Sequence, residues 1–348
     1  MSNHILAALA LAISKTVAGA DVGTVCGEVD TFIDEELQKT CNSKKSKKLE
    51  RGIAFPTCLS INEVCGHYSP LPEDSCKLKD GDLVSIEVGA HMDGFAALAA
   101  HTIIVGGATK GRQADCILAA HNAMMACAKS IGPGVKNQVL TDTIEAVCKQ
   151  YNCEPLHGVL SYKNKRHMVD GGDCIANKHI PESKPKDWEF APGDVICLDI
   201  YVSTGSGISR QAEARTTVFK RNLDVQYILK SKHARAFLTI VNKKYPTLPF
   251  SIRGFEDPVG TKVGVKECVD HELLDPYGVM TEKPGEFCAQ FKCTVVVQPK
   301  STVILAGGNP LTDKLDTENS IQDEQLKKTI AGEFWKREEK KKAKDEKA

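Results

Sequence analysis

KDGDLVSIEVGAHMDGFAALAAHT, residues 79–102, decides how this chain folds. Branched and small apolar residues fill 83–88 and 95–105. Between them His91-Met92-Asp93-Gly94 ends in Asp-Gly, a dipeptide that tolerates the positive φ angles of a tight hairpin turn. The segment is therefore expected to form a β-hairpin. DVICLDIYVST, residues 194–204, is an apolar run bounded by Gly193 and Gly205 and reads as a strand, with 214–220 as its candidate partner. CAQFKCTVVVQ, residues 288–298, reads as another.

Helical spacing surrounds these strands. It is found over 5–17, where Ile5, Leu9 and Ile13 recur, and over 31–40. It recurs over 112–130, which stops at Gly132-Pro133-Gly134, and over 141–151. The chain thus repeats a helix-then-strand grammar in two halves. Residues 224–282 differ, with helical spacing at Tyr227, Ile228, Phe237 and Val241 and again over 264–274, as expected of an inserted helical subdomain. From Leu311 the text turns polar and charged, which predicts a helix fraying into a tail. The expected organisation is one α+β domain over 1–310, interrupted at 224–282, and a charged segment over 311–348.

Composition narrows the function classes. Forty-five basic and 45 acidic side chains cancel, so no overall field drives the molecule onto nucleic acid and any such affinity needs local clustering. Fourteen cysteines without CxxC or Cys/His metal spacing predict reduced thiols rather than a disulfide framework. The apolar run at 5–13 lacks a preceding Lys or Arg and has helical spacing, so it is expected to pack on a core rather than act as a signal peptide. It is also too short to span a bilayer.

Three places carry unopposed positive charge. Residues 220–244 hold Lys220, Arg221, Lys230, Lys232, Arg235, Lys243 and Lys244 against the single acid Asp224. Lys44, Lys45, Lys47, Lys48 and Arg51 form a second cluster beside Glu50, and Lys163, Lys165 and Arg166 a third. Such clusters bind phosphate with salt-sensitive affinity, although a single cluster is more often a solvated surface. The segment 336–348 mixes seven bases with four acids. Nucleophile motifs are poor: Ser203-Thr204-Gly205-Ser206-Gly207 lacks the lysine of a phosphate-binding loop. Cys65-Gly66-His67 is not expected to supply a nucleophile and base.

Taken with the hairpin, GIAFPTCLSINEVCGHYSP (52–70), LHGVLSYKNKRHMVDGG (156–172), DVICLDIYVSTGSG (194–207) and GEFCAQFKCTVVV (285–297) resemble the type 2 methionine aminopeptidases. Within that superfamily GIAFPTCLSIN, HMDGFAALAAHT and AQFKCTVV are most similar to the proliferation-associated proteins. The resemblance covers roughly residues 5–303. It implies the pita-bread fold of creatinases and methionine aminopeptidases, with two pseudo-symmetric halves and a helical insertion of type 2 kind.

The enzymes of that superfamily hold two divalent metals with two Asp, one His and two Glu. The resemblance places these ligands on Glu87, Leu98, Val159 (or Leu160, one position on), Asp199 and Lys292. Two aliphatic side chains and an ammonium cannot serve, so it implies a pseudoenzyme with neither metal nor cofactor, in which Lys292 pairs with Glu87 and Asp199 in place of the metals. His67 falls on the enzymes' substrate-side histidine, and His167 is a weaker pocket candidate; both are expected to be vestigial. Proliferation-associated proteins bind structured RNA and dock on the large ribosomal subunit near the nascent-chain exit, with the insertion meeting rRNA. The resemblance therefore implies a partner in rRNA, a role in ribosome biogenesis or translation, and a cytoplasmic protein with a nuclear or nucleolar pool and no membrane association. A peptidase with a rearranged site, and a pocket reused for peptide N-termini, stand as alternatives.

Overall fold

A computed structural model describes residues 2–40 and 49–337. Two antiparallel helices, α1 (Ser2–Lys15) and α2 (Val22–Lys39), open the chain. They lead into strands β1 (Arg51–Ile61), β2 (Leu83–Met92) and β3 (Phe95–Ile104). The pattern then repeats: helices α3 (Arg112–Ser130) and α4 (Asn137–Gln150) precede strands β4 (Leu160–Lys163), β5 (Cys174–Ala176) and β6 (Val195–Ser203). After a segment containing β7 (Val218–Arg221), α5 (Lys232–Lys244), α6 (Pro258–Asp270) and β8 (Leu274–Tyr277), strand β9 (Cys288–Val297) returns to the main sheet beside β10 (Thr302–Ala306). Helix α7 (Glu324–Ala331) closes the described chain.

The main sheet runs β1-β2-β3-β9-β6-β4-β5. The hairpin forms where the sequence places it: Met92 pairs with Phe95 across Asp93 and Gly94, whose φ angles are 56° and 78°. Two positive φ values in a two-residue loop give the turn whose twist matches its strands. Gly94 has a second reason to lack a side chain, because a Cβ there would lie 2.5 Å from the His167 ring. Pro56 is tolerated because β1 is an edge strand, bulged on either side of Phe55.

Successive strand residues point to opposite faces, and this alternation builds the molecule. Ile86, Val88, Ala97 and Ala99 face Ile5, Leu9, Val25, Val29 and Ile33 of α1 and α2. In the other half Phe291, Cys293, Val295, Ile196, Leu198 and Ile200 face Ile117, Ala120, Met124 and Ile144 of α3 and α4. Each fully buried Leu, Ile or Phe contributes about 1.5–3 kcal/mol, so both outer faces are fixed by their helix pairs. The inner face is left for Glu87, Leu98, Ala100, Asp199, Gln290 and Lys292. It is covered by the segment between β6 and β9, from which Val218, Leu248 and Tyr277 pack against Phe55, Cys58 and Leu98.

Several expectations are corrected. Helix α2 begins nine residues before 31, at Val22: Asp21 caps it by accepting from Thr24 N at 2.9 Å, and Gly23 and Gly27 interrupt the apolar pattern without ending the helix. Residues 214–220 do not pair with β6. Strand β7 pairs instead with β8 and with the short strand Phe250–Ser251, while β6 lies between β9 and β4. The helix expected over 264–274 starts at Pro258 behind the Asp257 cap and stops at Asp270, and Leu274 opens β8. Tyr227 and Ile228 precede α5 rather than belong to it. After Leu311 a short strand, Lys314–Asp316, pairs with Ala108–Lys110 before α7 docks Leu326 onto the core. Residues 338–348 lie outside the described chain.

Candidate functional site

Four adjacent strands place one residue each in a cross-strand row: Glu87 on β2, Ala100 on β3, Lys292 on β9 and Asp199 on β6. Partners in such a row share a face, so all four side chains meet on the inner surface. Glu87 and Lys292 stand two strands apart, roughly 10 Å at the usual strand spacing. The methyl of Ala100 between them leaves room for the long Lys292 side chain to reach across. Its Nζ donates to Glu87 Oε1 and lies 2.8 Å from Asp199 Oδ2. Gln290, two residues before Lys292 and on the same face, donates to Asp199 Oδ1 at 2.8 Å. The Phe55 ring lies 5.4 Å from the ammonium.

The cluster is mostly buried, with Glu87 1% and Lys292 6% exposed and Asp199 part-buried. Two carboxylates around one ammonium leave one negative charge in excess. Burial works against the charge on Lys292, but the adjacent Asp199 and Glu87 carboxylates outweigh it and hold the amine well above its ordinary value. Burial likewise pushes the Asp199 carboxyl up, and the pull of Lys292 only partly offsets it. Glu87 Oε2 is buried with no hydrogen-bond partner in the described structure.

Above the cluster opens a cavity of about 420 Å³, whose walls include Phe55, Tyr162, Tyr201, Tyr277 and Met280. Leu98, Val159, Leu160, Asp199, Lys292 and His67 line this one cavity, so the structure brings together positions far apart in sequence. His67 has a φ of 65°, and its Nδ1 lies 3.1 Å from Gly278 O while its ring meets Tyr277 edge-on at 5.4 Å. His167 is not in this cavity: its backbone N–H donates to Gly94 O, and it lines a separate depression with His91 and Lys243. Asp170, Tyr277 and Gln290 are neighbours that sequence reading passed over. Asp170 accepts from Tyr277 Oη and from Lys220 Nζ at the cavity wall. Only the two-residue period linking Gln290 to Lys292 could have flagged any of the three.

These residues do not fit a pair of divalent ions. Leu98 and Val159 offer no donor atom, and Lys292 brings positive charge between the two carboxylates that remain. Among the described residues no group of three or more His, Cys, Asp and Glu side chains is arranged to hold a metal ion.

The basic clusters divide into residues held by protein groups and residues open to solvent. Lys220 is committed to Asp170 at 2.8 Å, and Arg221 donates to Leu273 O and Asn222 O, so neither belongs to an open face. Arg235 donates to the carbonyls of Leu229 and Lys230 ahead of α5. Lys163 pairs with Asp194 at 2.8 Å, and Arg166 with Asp93 at 2.7 Å, while Lys165 is exposed. Arg51 donates to Leu37 O and Thr40 O at the C-terminal end of α2. Lys44, Lys45, Lys47 and Lys48 lie outside the described residues. Lys230, Lys232, Lys243 and Lys244 are exposed without an ion pair among the described residues. On α5, Phe237 and Val241 turn inward to a separate apolar cluster with Phe219, Phe250 and Leu274, and Lys232 and Lys243 stand on the opposite side. Nearby, Tyr227 stacks on His271 at 3.7 Å. No helix among the described residues is long and apolar enough to cross a membrane.

A family model described as metallopeptidase family M24 matches residues 5–210. Proliferation-associated protein A of Dictyostelium discoideum is 41% identical over 323 residues, 92% of this chain and 83% of that protein. The curved DNA-binding protein of Schizosaccharomyces pombe is 35% identical over 315 residues, 88% of this chain and 82% of that protein. Among solved structures, that of a thermophilic Arx1 is similar with a TM-score of 0.88 and 25% identity, covering 97% of this chain and 96% of that one.

Proposed function

The chain belongs to metallopeptidase family M24, with the pita-bread fold and with proliferation-associated proteins as its relatives, and from that premise we propose that it is a non-enzymatic protein that binds RNA and the large ribosomal subunit. The observation that carries this is Lys292, seated between Glu87 and Asp199. Of the five positions that the resemblance assigns to metal ligands, three then hold an ion-pair cluster and two are aliphatic, and the fold is free to serve as a scaffold for recognition. The exposed lysines of the insertion, Lys230, Lys232, Lys243 and Lys244, are the phosphate-binding face. A relative whose name describes DNA binding supports an affinity for nucleic acid. In this role the protein docks near the nascent-chain exit and acts in ribosome biogenesis or translation, from the cytoplasm and a nuclear pool. Sedimentation of cell extract through a sucrose gradient tests it: co-migration with 60S-size particles is expected, and a profile confined to the top of the gradient overturns it.

A second role is favoured by one feature. The cavity keeps its aromatic walls and an excess negative charge over a floor that Lys292 closes, which suits a peptide N-terminus held without chemistry. Titration with a Met-Ala-Ser peptide tests this, and the absence of binding up to millimolar peptide removes it. Hydrolysis of the same peptide in the presence of added cobalt or manganese would instead restore the aminopeptidase alternative.

A further inference from the structure

Cys65 and Cys288 are separated by 223 residues, yet their Sγ atoms lie 3.1 Å apart. Cys65 belongs to the short strand Val64–Gly66, and Cys288 opens β9, four residues before Lys292. The two backbones are tied together: Cys288 N–H donates to Asn62 O at 2.8 Å. Tyr201 and Leu156 pack around the pair. The thiols are therefore held in mutual contact by rigid elements, and a shift of about 1 Å brings them to the 2.05 Å of a disulfide bond. Cys65 also lines the central cavity, so a small molecule entering it meets one member of the pair.

We propose that Cys65 and Cys288 form an oxidisable dithiol that a peroxide entering the cavity converts to a disulfide. The Sγ of Cys65 attacks one peroxide oxygen; the O–O bond breaks, and a sulfenic acid and water form from hydrogen peroxide. The Sγ of Cys288 then displaces the sulfenic hydroxyl, which leaves as a second water. Two thiols lose two electrons and two protons, and the peroxide is reduced to two waters. The hydrogen bond to Cys65, and then burial, hold the Cys288 thiol well above its ordinary value, which makes it a poor first attacker, while its contact with Cys65 at 3.1 Å supplies the proximity that the second step needs. The product fastens the strand leading into His67 to the strand that carries Lys292, so oxidation fixes one wall of the cavity. This inference stands independently of the RNA-binding role.

The test uses the full chain, reduced, desalted and exposed to a small excess of hydrogen peroxide under native conditions. It is then denatured, alkylated and digested without reduction. A linked peptide pair carrying Cys65 and Cys288, lighter by two hydrogens, is expected. The oxidised protein should also melt several degrees higher than the reduced one, because the bond closes a long loop. Both effects should vanish in Cys65→Ser and, as a second variant at the other position, in Cys288→Ala. The proposal is overturned if both cysteines are alkylated after peroxide, if Cys65 is recovered as sulfinic acid, or if the cross-link joins a different pair of cysteines.

Discussion

Lys292 sits on a central strand, 6% exposed, with two carboxylates within hydrogen-bond reach, whereas Lys232 and Lys243 stand on the outer side of α5 with no ion pair among the described residues. The same ammonium does opposite work in the two places. In the interior, desolvation is so costly that the charge is tolerable only where counter-charges are fixed in place. At the surface water solvates the charge, and the absence of a protein partner leaves it available to an external phosphate. Charge counts along the sequence treat the two alike. Lys220 shows why that fails: it belongs to the basic stretch by position but to Asp170 by geometry.

The comparison predicts the largest effect at Lys292. Lys292→Met leaves Glu87 and Asp199 without their counter-charge and should cost about 3 to 5 kcal/mol, read as a fall in Tm at neutral pH. Lys292→Glu should be worse. An unchanged Tm would mean that the two carboxylates are solvated and the contrast with the surface lysines is false.

Acidification should then shrink that deficit. Lys292 is held above its ordinary 10.5, so its contribution is complete at neutral pH and is lost only as pH climbs through the folded value. Asp199 is raised above 3.8, and a carboxyl that holds its proton more tightly when folded favours the folded state increasingly as pH falls through the folded value. Without Lys292 this uptake strengthens. The Tm gap between Lys292→Met and the unmodified protein should therefore narrow from pH 7.5 to pH 5, and a constant gap would place the lost energy in packing instead of charge.

On the surface, the triple variant Lys230→Glu, Lys232→Glu and Lys243→Glu should weaken binding to structured RNA while leaving Tm nearly unchanged. It should also flatten the dependence of log affinity on log salt by about 0.7–0.9 for each phosphate that is no longer neutralised. Equal binding at physiological salt would reduce this face of α5 to a solvated surface. A smaller loss is expected on removing residues 338–348, where both signs are mixed. Cutting earlier, after Thr329, confounds the test because it also removes Ile330 and Phe334, which pack on the core.

The smallest expected effect is none. Leu98→Asp restores one carboxylate to the cavity wall, but Val159 still offers no donor and Lys292 still occupies the floor. Turnover of Met-Ala-Ser with added cobalt or manganese should stay at background. Measurable turnover in this variant would show that the ion-pair cluster gives way to metal.

Sequence by itself determined the hairpin, because Asp93-Gly94 is a local chemical signal, and it determined the strand faces, because alternation at 83–90 and 289–297 is local too. It also determined which donor atoms exist: no arrangement of neighbours makes Leu98 or Val159 a ligand. Tertiary structure decides what sits beside what, and the pairing of Lys292 with Glu87 and Asp199 was legible beforehand only through the family resemblance. Glu87, Ala100, Lys292 and Asp199 form a row only because β9 inserts between β3 and β6, a pairing across almost 200 residues that no local pattern encodes. The same holds for the partner of β7, for His167 standing outside the cavity, and for the division of the basic residues into those held by protein groups and those open to solvent. Local propensity is written in neighbouring side chains, whereas the energy of a buried charge depends on groups that only the folded chain brings within a few ångströms.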